Sequence, residues 1–124
     1  MANLDQIINH LADVSIVEEG SSGIWHYRKW SNGRGECWAL LNPTVKTGTA
    51  YQGLYYATYI VNASYPFAFQ ARPILLSSTN SGTMGILGDI TFDETKITQY
   101  EMYRAGGGNV GNSLAVYVQG DIAV

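Results

Sequence analysis

The stretch GIWHYRKWSNGRGECWALL, residues 23–41, sets the expected fold. At its centre lies Asn32-Gly33, the dipeptide most strongly associated with a type I′ turn between two antiparallel strands. A two-residue loop at this position predicts four cross-strand pairs: Trp30 with Gly35, Lys29 with Glu36, Tyr27 with Trp38, and Trp25 with Leu40. Because Gly35 follows so closely, a bulged or longer loop would shift this register by one residue.

The sequence after residue 15 shows the same β-type pattern. Short runs rich in valine, isoleucine and aromatic residues alternate with glycine, serine, asparagine and threonine. The clearest run is residues 114–122, in which apolar and polar side chains alternate. Strands are predicted near residues 16–19, 23–30, 35–41, 55–61, 67–71, 74–78, 84–90, 96–104 and 114–122. Many short strands in one domain predict an antiparallel β-sandwich or jelly roll, covering residues 16–124.

The first fifteen residues have a different period. In NLDQIINHLADV, residues 3–14, the apolar side chains recur at helical 3-4-3 spacing. A helix this short is marginal alone in water, so its apolar seam needs a partner. That partner is either the rest of the domain or the same seam in other copies, and the mixed isoleucine and leucine pattern is compatible with three strands. The seam, and the predicted trimer interface, consists of Leu4, Ile7, Leu11 and Val14.

The composition argues against several classes of protein. The net charge is −3 and charged residues make up only 14% of the chain, whereas nucleic-acid partners require a basic face. No apolar run reaches eighteen residues, so no membrane insertion is expected. Asp5 and the lack of an early basic patch do not fit a secretory signal. The single cysteine, Cys37, cannot form an intrachain disulfide, which predicts synthesis in a reducing cytosol.

No residue pattern predicts a catalytic residue, a cofactor or a metal. His10 and His26 lack ligand spacing, and Cys37 lies within a strand among bulky neighbours. Asp89, Asp93 and Glu94 could form a calcium cluster, but a solvated turn explains them better. Residues 106–111, GGGNVG, match a phosphate-binding pattern, but a strand rather than a helix follows them. The chain is therefore predicted not to be an enzyme.

The opening stretch also resembles a known group of proteins. G-I-W-x-Y-x-K-W-x-x-G-x-x-E-C-W is similar to a pattern in tail-fibre, baseplate and other virion proteins of bacteriophages and prophages. YPFAFQARP, residues 65–73, and YRAGGGNVGNSLAVYVQG, residues 103–120, resemble the same family. The resemblance implies a compact β-sandwich or jelly-roll head, commonly trimeric, on an N-terminal stem. It also implies that the tryptophans and the Lys29–Glu36 pair are scaffold. No long shaft is expected, so the chain would be either an excised head domain or a small complete virion protein.

Tyrosines and asparagines are the candidate ligand-binding residues. Tyrosine offers a flat apolar face and a hydroxyl, which suit both sugars and protein interfaces, although half-buried strand tyrosines explain the same pattern. Asparagines in loops would add amide donors and acceptors. The candidates are Tyr51, Tyr55, Asn80, Asn109 and Asn112.

Three hypotheses for function follow from the resemblance and the composition. The first is a non-enzymatic receptor-binding or tail-fibre head domain, located on the virion and made in the host cytoplasm. It would mediate host attachment as a homotrimer that binds a cell-surface saccharide and other virion proteins. The second is a structural module, such as a head fibre, a capsid decoration or a fibre-trimerising unit, without glycan binding. The third, a polysaccharide-degrading enzyme, is disfavoured because the few acids alternate along strands.

Overall fold

The computed structural model describes residues 14–42, 46–47, 49–51, 54–81, 85–104, 109–110 and 112–123. In these ranges the chain is all-β, which confirms the all-β part of the predicted fold class. The described strands are β1 (Ile16–Ser22), β2 (Trp25–Trp30), β3 (Arg34–Leu41), β4 (Lys46–Thr47), β5 (Thr49–Tyr51), β6 (Leu54–Ser64), β7 (Ile74–Ser81), β8 (Gly85–Phe92), β9 (Lys96–Arg104), β10 (Asn109–Val110) and β11 (Asn112–Asp121).

The strands form two main antiparallel sheets. The five-stranded sheet has the order β1-β2-β3-β11-β7, the four-stranded sheet has the order β5-β6-β9-β8, and β10 pairs with β4. Buried side chains from both main sheets belong to one hydrophobic cluster, as in a β-sandwich. Of the predicted helix at residues 1–15, only Val14 and Ser15 lie within the described residues, and neither is helical. In the described part of the chain, no helix is long and apolar enough to cross a bilayer.

The core combines aliphatic and aromatic side chains. Cys37, Leu114 and Val118 of the five-stranded sheet are fully buried. In the four-stranded sheet Tyr59 stacks on Tyr100, with ring centroids 5.1 Å apart. The alternation predicted for residues 114–122 is therefore correct, because Leu114, Val116 and Val118 all face inward.

The hairpin between β2 and β3 has a different register from the one predicted. Gly33 has a positive φ of 87°, whereas Asn32 does not, so the turn is not type I′. Ser31, Asn32 and Gly33 form a three-residue loop, closed by a 3.0 Å hydrogen bond from the Gly33 amide to the Trp30 carbonyl. This longer loop shifts the pairing by one residue.

The shift replaces all four predicted pairs. The observed pairs are Lys29 with Gly35, Arg28 with Glu36, Tyr27 with Cys37, and His26 with Trp38. The Lys29–Glu36 ion pair was therefore a wrong prediction. Instead, Lys29 Nζ lies 3.2 Å from Glu18 of β1, and Arg28 lies beside Glu36. Trp25 and Tyr27 face the core, whereas Trp38 and Leu40 face away from it.

The predicted strand at residues 67–71 is also wrong. The segment makes one isolated bridge, between Phe69 and Ile122. Its rings pack together instead: Phe69 makes edge-to-face contacts with Tyr65 at 5.4 Å and with Phe67 at 5.3 Å between ring centroids. Tyr65 also contacts Trp25 at 5.5 Å. The segment bonds to both sheets and does not form a ladder: the Phe69 amide donates to the Glu94 carbonyl between β8 and β9, and the Gln70 amide donates to the Asp121 carbonyl of β11, both at 2.9 Å.

The two ends of the five-stranded sheet differ in the chain segments that lie there. At one end, here called the base, the Ser31–Gly33 loop bonds to Ser15, through 2.8 Å and 2.9 Å contacts between Ser31 and Ser15. At the other end, here called the tip, β3 ends at Leu41, β7 ends at Ser81 and β11 begins at Asn112. Short links join these strand ends to Gly85 of β8 and Arg104 of β9, so the corresponding end of the four-stranded sheet belongs to the tip.

Candidate functional site

One organised surface among the described residues is the side of the five-stranded sheet that faces away from the core, here called the outer face. The register aligns two rows of side chains across all five strands. The first row, called the charged row after its three ionised members, consists of Glu19, Arg28, Glu36, Gln119 and Ile74. The aromatic row consists of Ser21, His26, Trp38, Tyr117 and Leu76. A shorter row of Leu40, Ala115 and Ser78 follows on the tip side.

Glu36 is the centre of the charged row. Its side chain is only 14% exposed, and Arg28 Nη1 lies 3.6 Å from its Oε1. Trp30 Nε1 donates to the same oxygen at 3.3 Å, and the Tyr117 hydroxyl donates to Oε2. Burial, followed by the hydrogen bond to Glu36, raises the pKa of Tyr117 to about 12. The carboxylate is therefore already bound by three donors within the chain.

Arg28 connects the charged and aromatic rows. Its Nε lies 3.3 Å from Glu19 Oε2, and its guanidinium carbon lies 5.1 Å from the centre of the Trp38 ring. His26 stacks beside Trp38 with ring centroids 6.0 Å apart and an interplanar angle of 20°. Ser21 in turn contacts His26 Nδ1 at 3.2 Å. These contacts hold Trp38 in one orientation and leave an apolar surface next to it.

An apolar groove begins at Trp38 and runs along the tip side of the outer face. Its central cavity, of about 540 Å³, is lined by Ile24, His26, Trp38, Leu40 and Ala115, among others. Ala115 also lines a cavity of about 290 Å³ beside Leu76 and Tyr117. On the other side, Ile24 and Leu40 line a cavity of about 420 Å³ that reaches the Ile60–Ala63 segment of β6. Because neighbouring cavities share residues, they form one continuous groove.

The five predicted ligand-binding residues lie toward the tip. Asn80 and Asn112 are on adjacent strands, since Asn80 pairs with Ser113 and Asn112 pairs with Ser81. Asn109 pairs with Thr47. Tyr55 pairs with both Ala50 and Arg104, and Tyr51 pairs with Leu54. The three asparagines are strand residues rather than the loop residues that were predicted, and ligand binding by any of the five stays a prediction.

The predicted trimer seam is described only at its last residue. Leu4, Ile7 and Leu11 lie outside the described residues. Val14 is 46% exposed and lies two residues before β1, where Val17 is 63% exposed. The trimer interface therefore stays a prediction.

The acidic turn predicted as an alternative to a calcium cluster is present at Asp93. Asp93 Oδ1 accepts hydrogen bonds from Thr95 N at 2.8 Å, Thr95 Oγ1 at 2.9 Å and Lys96 N at 3.0 Å. These hydrogen bonds lower the pKa of Asp93 below its usual value. Within the described ranges, no three His, Cys, Asp or Glu side chains are grouped as metal ligands.

Comparisons with known proteins identify the fold. No family model and no curated protein matches the sequence. The structure is similar to an N-truncated R1-type pyocin tail fibre, with a TM-score of 0.57 and 14% identity, over 97% of this chain and 98% of that one. It is also similar to the R1 pyocin fibre of P. aeruginosa comprising C-terminal residues 323–701. That match has a TM-score of 0.57 and 15% identity, and it covers 97% of this chain and 32% of the fibre. The chain has a fold that tail fibres use.

Sequence reasoning missed the outer face because the predicted pairs placed Trp38 and Leu40 on the same face as Tyr27 and Trp25. Moving β3 by one residue brings Trp38 and Leu40 onto the same face as His26 and Ile24. The only local signal for this shift is Gly35, which follows the Asn32-Gly33 pair and permits a bulge. No local signal identifies Tyr117 as a partner of Glu36, because 81 residues separate them.

Proposed function

We propose that this chain is the head domain of a bacteriophage or prophage tail-fibre or baseplate protein, and that it binds a host cell-surface saccharide without catalysis. The observation that carries the proposal is the similarity to R1-type pyocin tail fibres over 97% of the chain. The motif at residues 23–38 resembles virion proteins independently of that similarity. On this proposal the protein is made in the host cytoplasm and works on the virion, in contact with other virion proteins.

The two ends of the fold suit a head on a stem. Residues 1–15 form the proposed helical stem, and residues 16–124 form a jelly-roll-type head. The stem joins the head at the base, where Ser15 bonds to Ser31. The five candidate residues lie toward the opposite end. A homotrimer aligned through Leu4, Ile7, Leu11 and Val14 would therefore present its candidate residues away from the particle.

The chemistry of the candidate residues suits neutral sugars. Tyrosine rings stack on the C–H faces of sugars, and asparagine amides both donate and accept hydrogen bonds. Weak single-site binding is sufficient for attachment when three chains act together and many fibres engage one cell.

The absence of catalysis is supported by the contacts of three described carboxylates. Glycoside hydrolysis requires two carboxyl groups flanking the bond that is cleaved. On the outer face, Glu19 and Glu36 both bind Arg28, and Glu36 accepts two further hydrogen bonds. Asp93 is bound by its own turn. These three carboxylates are bound by side-chain or backbone groups of the chain itself.

A structural virion module without glycan binding is the second candidate function. The observation in its favour is the apolar groove, which has exposed leucine and isoleucine side chains along it. Such a surface suits packing against another protein better than contact with a hydrated polysaccharide.

Binding of the full chain to a glycan array and to purified bacterial wall polysaccharides tests the proposal. The double variant Asn80→Ala/Asn112→Ala should weaken binding at least tenfold. The control Gln99→Ala, on the four-stranded sheet, should bind as the natural protein does. A lack of binding to every saccharide, together with binding to tail or capsid proteins, would favour the structural module. Unchanged binding by the double variant would exclude these two asparagines from the site.

A further inference from the structure

We infer that the outer face of the five-stranded sheet is a surface through which one copy of this chain contacts a second copy. The inference rests on the homo-oligomeric part of the proposed function and extends it, because that proposal places subunit contacts only in the stem. Three observations on the outer face carry it: its exposed apolar area, its internally paired charges and its connection to the N-terminal segment.

The first observation is the extent of apolar exposure. Leu76 is 60% exposed, Ile74 56%, Leu40 53%, Ile24 52% and Ile16 43%, and all five lie on or beside this face. Five strands at about 4.8 Å spacing and a strand of eight residues give the whole outer face, its charged row included, a footprint of roughly 500 Å². Contiguous apolar patches above a few hundred Å² mark interaction sites. This area is a large part of the roughly 800 Å² that each partner contributes to a standard interface.

The second observation is that the charges on this face are already paired. Arg28 bonds to Glu19 and Glu36, and Arg34 Nη1 lies 3.3 Å from Asp121 Oδ1. These are the charged side chains that the structure describes on the outer face. A charged polymer would find no free countercharge among them. Three carboxylates and two guanidiniums leave a net charge of only −1 on this face, against −3 for the whole chain, so a second copy brings an apolar surface with little like-charge repulsion.

The third observation is where the N-terminal segment joins the sheet. Thirteen residues precede Val14 and lead into β1, which is an edge strand of this same sheet. Val14, Ile16 and Val17 are exposed and extend the apolar surface from the outer face to the segment that carries the predicted seam. Association of the segments would bring β1 of each copy close to its neighbours. The sheets would then meet at a high effective concentration, so a modest interface suffices.

Light scattering coupled to size exclusion, on the full chain, tests the inference. The variant Leu40→Asp/Leu76→Asp places two charges in the apolar groove. Both side chains are more than half exposed, so the fold should persist, which circular dichroism checks. The control Thr58→Asp/Thr91→Asp places two charges on the four-stranded sheet instead. We expect the natural chain and the control to run as oligomers of equal mass, and the groove variant to dissociate at least 100-fold more readily.

A stem variant, Ile7→Asp/Leu11→Asp, separates the two sources of association. Partial dissociation by each of the two variants would support the inference. An oligomer that survives in the groove variant but not in the stem variant would overturn the inference and leave the stem proposal intact. A natural chain that is monomeric at all concentrations would overturn both the inference and the proposed homotrimer. The proposed saccharide binding is tested separately, by the glycan array.

Discussion

The hydroxyl of Tyr117 on β11 donates a hydrogen bond to Oε2 of Glu36 on the neighbouring strand β3. The other carboxylate oxygen accepts from Trp30 on β2, and Arg28 of the same strand lies within ion-pair distance of it. Glu36 thus connects three strands through its side chain, in addition to the backbone ladders. The residue is a partly buried structural centre of the outer face.

Replacing Glu36 with alanine should lower the free energy of unfolding by about 2–3 kcal/mol. The reason is that hydrogen bonds to a charged group are worth about 1.5–3 kcal/mol, and the variant leaves half-buried donors without an acceptor. Glu19→Ala is the matched control, because Glu19 shares Arg28 but is 61% exposed. It should cost less than about 1 kcal/mol. Chemical denaturation measures both, and equal losses would mean that the Glu36 contacts contribute nothing specific.

Tyr117 should make stability fall with rising pH above 10. Its folded-state pKa is raised from 10.0 to about 12, so the unfolded chain loses this proton first. The stabilising contribution is complete below pH 10 and is lost as the pH rises to about 12. Tyr117→Phe removes the titrating group, and its stability should decline less over this interval. Urea titrations at pH 9, 10 and 11 provide the comparison, and parallel declines would contradict the assignment.

Cys37 should be unreactive in the native protein. Its side chain is fully buried, and burial raises the pKa of its thiol from 9.0 to about 12. Because the thiolate is the reactive form, a disulfide reagent at pH 8 should label native protein at least 100-fold more slowly than protein in 6 M guanidinium. The chain has one cysteine, so the signal belongs to this site. Fast labelling under native conditions would show that the core opens readily.

The sequence predicted the strands better than it predicted their faces. The alternating run at 114–122 is a strand with its apolar face buried, as its period of two requires. The register of β2 and β3 depended on a choice between turn types that differ little in energy. The observed register places Glu36 on one face with Arg28 and Trp30 of β2 and with Tyr117 of β11, which lies 81 residues away. Local patterns contain no information on such a partner, so β3 was assigned the wrong face.

The sequence-based prediction of the candidate site missed the outer face for the same reason, because long-range pairing is not visible in local patterns. Tyrosines were selected for their flat rings and hydroxyls and asparagines for their expected loop positions, and the structure places all five toward the tip. The outer face arises instead from residues in five separate strands. Its two rows exist only after β11 inserts between β3 and β7, a long-range pairing that no spacing in the sequence indicates.

Gly35 and Gly120 face each other on the inner side of β3 and β11, and their lack of side chains makes room for the core segment at residues 65–69. A Cβ on Gly35 would lie 2.6 Å from Ile122 Cδ1 and 2.7 Å from Phe67 Cε2. Since both side chains would have to move within a packed region, Gly35→Ala should destabilise the fold by about 1–3 kcal/mol. Thermal and urea unfolding measure this loss.

Gly33→Asn provides the control for the Gly35 variant, because it tests the turn without affecting packing. A Cβ at Gly33 meets no atom within 4 Å, so a side chain there does not disturb the packing. The positive φ of 87° disfavours most side chains, but asparagine tolerates such a φ better than most residues. The expected loss is therefore below about 1 kcal/mol. If Gly35→Ala were as stable as Gly33→Asn, the rings of the 65–69 segment would have to shift at little cost. The facing glycines would then not be required for the close approach of that segment to the sheet.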